Sequence, residues 1–135
     1  MTIPKKSLPH EHTIDIRVRY QETDPGGLLH HGNYFAYFEM GRTELLRSSG
    51  YTYREVEASG VFAVVVKLDC SYKRPARYDD LLTLHTAITR ATKFKLEYEY
   101  HLYRDAELLA VGHTTIGFVN REGHICPIPE WMTPE

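Results

Sequence analysis

The chain predicts an α+β domain, one long helix laid on an antiparallel sheet, from three observations. Residues 33–48 carry their apolar side chains at helical spacing. Four later stretches read as strands, two of them in clear alternation of apolar and polar residues, joined by short turns that favour antiparallel neighbours. A length of 135 residues fits a single domain able to bury a sizeable core.

Taken in order, residues 1–11 form a polar, Pro-containing lead-in, residues 12–128 the domain, and residues 129–135 an irregular tail with Pro129 and Pro134. Ile14, Ile16, Val18 and Tyr20 alternate with Asp15, Arg17 and Arg19, a half-buried strand that Pro25, Gly26 and Gly27 end. A helix follows over 33–48, with Asn33 as N-cap and Gly50 beyond its end. Tyr34, Phe38, Gly41 and Leu45 make its apolar stripe, flanked by Phe35, Tyr37 and Leu46, while Glu39, Thr43, Glu44 and Arg47 lie opposite. Gly41 costs a helix ~1 kcal/mol relative to Ala, a cost explained if a side chain there would strike the sheet. Glu39 and Arg42, three apart, read as an ordinary surface pair. Thr52 and Glu55 have capping-box spacing, so a short helix fills 52–59 up to Gly60. The strands then run over 62–72, with Val64, Val65 and Val66 as an apolar centre, and over 82–88, 94–103 and 108–120. Residues 75–80 and 121–124 read as turns.

A net charge of −2 lacks the basic excess expected of a general nucleic-acid or acidic-membrane binder. No apolar run is long enough to insert in a bilayer, and the first ten residues do not read as a secretory signal. Cys70 and Cys126 form no CxxC pair, which fits reduced thiols in a cytoplasmic protein. The ten tyrosines suit half-buried sheet surfaces and interfaces.

The chemistry-bearing run lies over 20–34, Tyr-Gln-Glu-Thr-Asp-Pro-Gly-Gly-Leu-Leu-His-His-Gly-Asn-Tyr. It sets Asp24 at a strand end beside a glycine turn, with His31 just before the helix, whose first turn carries about half a positive charge. A carboxylate, pliant backbone and a helix N-terminus suit chemistry on a polarised carbonyl. Asp-Pro-Gly is also an ordinary turn, and His31 and His30 have packing roles open to them.

Glu22-Thr23-Asp24-Pro25-Gly26-Gly27, then His31, Asn33, Tyr34, Phe38, Glu39 and Arg42, together with the later run over 72–80, resemble the hot-dog-fold acyl-CoA thioesterases. The subgroup is that of the 4-hydroxybenzoyl-CoA thioesterases and the Tol-Pal-associated thioesterases. The resemblance implies a long central helix wrapped by a five-stranded antiparallel sheet, and homo-oligomers, dimers or homotetramers, with sites at the dimer interface. It implies hydrolysis of an acyl-CoA to free acid and coenzyme A, with no metal and no cofactor. Asp24 would be nucleophile or general base, and the backbone amide of His31 would polarise the thioester carbonyl while its side chain orients water or substrate. Arg90, Thr92 and Lys93, between two strands, would grip the nucleotide of coenzyme A, with Lys73, Arg74 and Arg77 a second basic group. Tyr34, Phe38 and Phe62 would line the acyl pocket.

Four other readings compete. Glu39 is a reserve base, since some hot-dog enzymes use a helix carboxylate. His10 with His12 and His30 with His31 are the only close histidine spacings, and neither has a zinc signature. A hot-dog dehydratase or hydratase would spare the thioester bond, and a non-catalytic acyl-CoA or acyl-carrier binding module would release no thiol.

Overall fold

The computed structural model describes residues 7–134. The lead-in expectation for residues 1–6 lies outside them. Strand β1 is Glu11–Arg17, helix α1 Asn33–Ser48, helix α2 Tyr53–Ala58, and strands β2 to β5 are Phe62–Tyr72, Leu81–Ala91, Lys95–Arg104 and Glu107–Val119. The strands form one antiparallel sheet in the order β1-β3-β4-β5-β2. α1 lies against the sheet, as the α+β reading requires.

The apolar stripe of α1 faces inward as its spacing demands. Tyr34, Tyr37, Phe38, Gly41, Leu45 and Leu46 are buried. They meet the inward faces of β3 and β4, where Leu82, Leu84, Leu96, Tyr98, Tyr100 and Leu102 alternate with outward residues. Phe38 stacks on Tyr100 with ring centres 4.4 Å apart. A side chain on Gly41 would place its Cβ 2.3 Å from Thr86 Oγ1 and 2.8 Å from Leu84. The helix glycine is therefore a packing requirement, as its cost suggested.

Several elements depart from the sequence reading. β1 ends at Arg17, and Tyr20 sits in a 3-10 turn, Tyr20–Glu22, with 77% of its surface exposed. The alternation stops because the Val18 amide pairs with Asp80 O and the chain then turns. Gly32, not Asn33, is the N-cap of α1. Asn33 is its first residue, and its side-chain amide donates instead to Glu22 O at 2.9 Å. Thr52 does cap α2, accepting from the Glu55 amide.

β2 joins β3 by a short segment yet lies on the far edge beside β5, so the connection is a crossover rather than a hairpin. Its apolar centre of three valines is partly exposed. Val64, Val65 and Val66 are 39%, 47% and 54% exposed, and the pairing with β5 shifts register across Val66. An extra residue in one strand breaks alternation, which is how three successive valines fit an edge. Glu39 and Arg42 form no surface pair, because Arg42 is buried.

The segment after 128 is ordered by packing. Trp131 stacks on Tyr51 at 4.0 Å, Met132 is buried, and Leu8 bridges to Pro134. Among the described residues, no helix is long and apolar enough to cross a membrane.

Gly112 on β5 is the second close approach, since an added Cβ would lie 2.2 Å from the Phe38 ring. Gly112→Ala should therefore lower unfolding stability by about 1–3 kcal/mol, the usual cost of overpacking, read as a lower urea midpoint. An unchanged midpoint would mean that the Phe38 and Tyr100 stack is free to shift.

Candidate active site

The segment between β1 and α1 is a knot of backbone hydrogen bonds around two carboxylates. Asp24 closes the smaller loop. Its amide donates to Leu28 O at 2.8 Å, and its carbonyl accepts from the Gly27 amide at 2.9 Å. Asp24 Oδ1 accepts from the amides of Gly26 at 2.9 Å and Leu28 at 3.1 Å. Gly27 has φ +83°, left-handed backbone that favours glycine. Oδ1 is thus held by the loop, while Oδ2 has no hydrogen-bond partner among the described residues.

Glu22 anchors the loop from beneath and was not singled out from sequence beyond its place in the motif. It is 93% buried, being 7% exposed. Its carboxylate accepts from the Arg19 amide at 2.8 Å, the Tyr37 hydroxyl at 2.7 Å and the Arg19 guanidinium at 3.2 Å. Its carbonyl accepts from the His30 amide and the Asn33 side chain. Burial acts most strongly on the Glu22 carboxyl and raises it, but the three donors together hold it below its ordinary value.

His31 stands between this anchor and the helix. Its carbonyl accepts from the Tyr72 hydroxyl at 2.8 Å, a contact the sequence did not reveal. The amides of Gly32, Asn33 and Tyr34 are all engaged, the first by His30 Nδ1 and the others by the carbonyls of His30 and His31. The His31 amide has no partner among the described residues. Tyr72 is pushed up to about 12, by burial first and then by the Cys70 thiol beside it, so its hydroxyl keeps its proton at neutral pH. Its ring meets that of Tyr34 edge to face at 4.7 Å.

A cavity of about 320 Å³ brings these groups together. Asp24, His31, Tyr34, Tyr72, Lys73 and Arg74 line it. Tyr72 comes from the end of β2, and the crossover supplies Lys73 and Arg74. The amides of Lys73 and Arg74 both donate to Leu109 O, and Leu29 donates to Ala76 O, tying the crossover to the Asp24 loop.

The remaining sequence candidates lie elsewhere in the protomer. Phe62 begins β2, roughly 33 Å along the strand from Tyr72. Arg90 lies at the end of β3 remote from Leu81 and faces Glu97 at 3.9 Å. Thr92 Oγ1 accepts from the Lys95 amide, and Lys93 lies over the Phe94 ring. Lys95 is level with Gly117, which is level with Val64, so Phe62 and the turn over 90–93 share the end of the sheet opposite Asp24.

Residues 26–111 match the family model described as the thioesterase superfamily. The chain is 37% identical over 125 residues to the Bacillus subtilis protein named "Putative acyl-CoA thioesterase YneP", covering 93% of this chain and 86% of that one. It is 37% identical over 103 residues to the acyl-CoA thioester hydrolase YbgC of Escherichia coli, covering 71% and 77%. The crystal structure of a probable thioesterase from Bartonella henselae superposes with a TM-score of 0.83 at 31% identity, covering 88% of this chain and 99% of that one.

A carboxyl held lower in the folded than in the unfolded chain stabilises the fold above its ordinary value, here 4.5, and loses that contribution as the pH falls through the folded value. Glu22→Gln should therefore cost about 1–3 kcal/mol in urea unfolding at neutral pH and clearly less at about pH 3. Equal losses at both pH values would remove the carboxylate as the anchor of the loop.

Proposed function

The chain belongs to the thioesterase superfamily, and on that premise we propose that it hydrolyses acyl-CoA thioesters at the Asp24 cavity. The observation that carries this reading is the unengaged Asp24 Oδ2 on the same cavity as the unengaged His31 amide. Hydrolysis needs a group to attack the acyl carbon or activate water, and a donor for the oxyanion that forms. Asp24 fills the first role. As general base it takes a proton from water, whose oxygen bonds to the acyl carbon. As nucleophile it forms a mixed anhydride that water then opens. In either case the C–S bond breaks, coenzyme A leaves as the thiol and the acid is released. The His31 amide donates to the oxyanion, near the positive end of α1.

A binding module needs no carboxylate beside a free backbone donor, and the relatives named above are thioesterases or a thioester hydrolase rather than dehydratases or hydratases. Nothing in the reaction as drawn calls for a metal or cofactor, so EDTA should leave the rate unchanged.

The site is proposed to be completed by a second copy. Among the described residues, β2 is a sheet edge whose outer backbone has no strand partner, with Val64, Val65, Val66 and Leu68 partly exposed along it. Such an edge invites strand pairing. Two-fold antiparallel pairing of β2 with itself, centred near its middle, sets Phe62 of one copy by Tyr72 of the other. It also carries the 90–93 turn toward the Asp24 end. That arrangement reconciles a split within one chain with a single site drawing on both groups, Arg90 and Lys93 meeting phosphate and Thr92 donating to it.

Asp24→Asn should reduce thiol release from acyl-CoA, followed with a chromogenic thiol reagent, by roughly 100- to 10,000-fold. Binding of the acyl-CoA should persist. Turnover retained in the folded variant would overturn the role of Asp24. A charge on the edge, Val66→Glu, should shift the light-scattering mass toward the monomer and depress thiol release with it. Full activity in a monomer would overturn the shared site.

A further inference from the structure

Arg42 is the one buried cation of α1, 8% exposed, and sequence spacing promised it Glu39. That pair does not form. Among the described residues, the guanidinium has no carboxylate within ion-pair distance, and its one hydrogen bond is a long one, 3.5 Å, to the Tyr100 hydroxyl. Tyr100 is itself committed to Thr114 at 2.6 Å. A guanidinium carries five N–H donors and stays charged, so most of its capacity is unused. The only sealed polar side-chain atom without a partner among the described residues is Thr86 Oγ1. The free N–H groups of Arg42 are therefore not sealed, and they open onto a cavity.

Two cavities meet there, of about 330 and 240 Å³, sharing Glu39, Arg42 and Val65. Together they make a groove between α1 and β2. Phe35, Ala36 and Leu68 wall the part nearer the start of α1. Tyr53, Glu57 and Ala63 close the other. Tyr34 and Tyr72, which wall the Asp24 cavity, precede Phe35 on the helix and follow Leu68 on the strand. The walls of the groove therefore begin next to those of the Asp24 cavity along α1 and β2, with Arg42 about 12 Å along the helix from Tyr34.

We propose that this groove takes the acyl chain and that Arg42, with Glu39, is its specificity-determining end, fitted to a medium-length acyl group bearing a hydroxyl near its far end. The inference rests on the hydrolysis reading for what lies at Asp24. A chain of roughly eight to ten carbons spans the distance at single-bond geometry. Its hydroxyl oxygen accepts from the Arg42 guanidinium and its proton is donated to the Glu39 carboxylate. A purely apolar tail would dehydrate the guanidinium without replacing its hydrogen bonds, which is costly. A carboxylate tail would face Glu39 and Glu57 with only one cation to balance them. A hydroxylated aryl group is too short, reaching roughly half the distance.

The test compares decanoyl-CoA with 10-hydroxydecanoyl-CoA. Dissociation constants are measured by titration calorimetry on the Asp24→Asn chain, and thiol release on the unaltered chain. The hydroxylated chain should bind about 10- to 100-fold tighter, the range for a hydrogen bond to a charged group. Arg42→Met should bring the ratio close to one, and Glu39→Gln should reduce it. If Arg42→Met does not fold, the parent ratio and Glu39→Gln still decide. Equal affinities in the parent, or a ratio unmoved in every folded variant, would overturn the groove assignment. An intact affinity ratio with no thiol release from either substrate would instead overturn hydrolysis and leave the groove standing.

Discussion

The close approach of α1 to the sheet is the constraint on which everything else depends. Gly41 lets the helix backbone come down over Thr86 and Leu84, and Gly112 lets the Phe38 ring lie on β5. Close-packed interiors tolerate little change of volume at such points. At that distance the Phe38 ring stacks on Tyr100, and the apolar stripe of the helix is covered by β3 and β4. The position of the helix then fixes where its N-terminus emerges. The loop carrying Asp24 is built back from that point, through Glu22 to Tyr37 on one side and through His31 to Tyr72 on the other. The candidate site inherits its geometry from a packing distance set farther along the same buried stripe of the helix.

Features governed by local periodicity were legible in the sequence. The stripe from Tyr34 to Leu45, the alternation in β4 and the capping by Thr52 depend on neighbours a few residues away, and all three are present. The Asp24 loop and its closeness to the start of α1 were legible for the same reason. What failed depended on distant partners. Three successive valines read as the apolar centre of a strand, but hydrophobicity does not distinguish a central strand from an edge. Arg42 read as a surface residue because Glu39 stands three positions before it, whereas Tyr100 and Thr114 draw its neighbourhood inward. The crossover between β2 and β3 was invisible because its length equals that of a turn. Its backbone is diverted by Leu109 and Leu29, residues far off in sequence.

The Tyr72 hydroxyl deserves weight out of proportion to one hydrogen bond. It ends β2, the edge strand, and holds the carbonyl of His31. The peptide unit that carries the free His31 amide is therefore tied at one side to the Glu22 anchor, through the bonded His30 amide, and at the other to the sheet edge. A donor useful for an oxyanion must be held before the charge develops, since preorganisation is what makes it effective. The two ties supply that restraint without occupying the donor itself.

In the proposed pairing of β2 with its copy, the exposed edge and the divided set of candidate residues become two faces of one geometry. An antiparallel two-fold axis through β2 inverts the strand direction, so whatever one protomer holds at the far end of its sheet is returned to the near end of the other. Phe62 and the 90–93 turn occupy that far end, and Asp24, His31 and Tyr72 the near one. A strand left with partly exposed valines along an open edge would be a liability in a lone domain. In a pair, the same strand hides its apolar surface and brings the basic turn toward the carboxylate loop. The arrangement also accounts for the groove between α1 and β2, which lies along the edge that a second copy would cover, so that a single association would both bury the edge and shelter the chain bound within it.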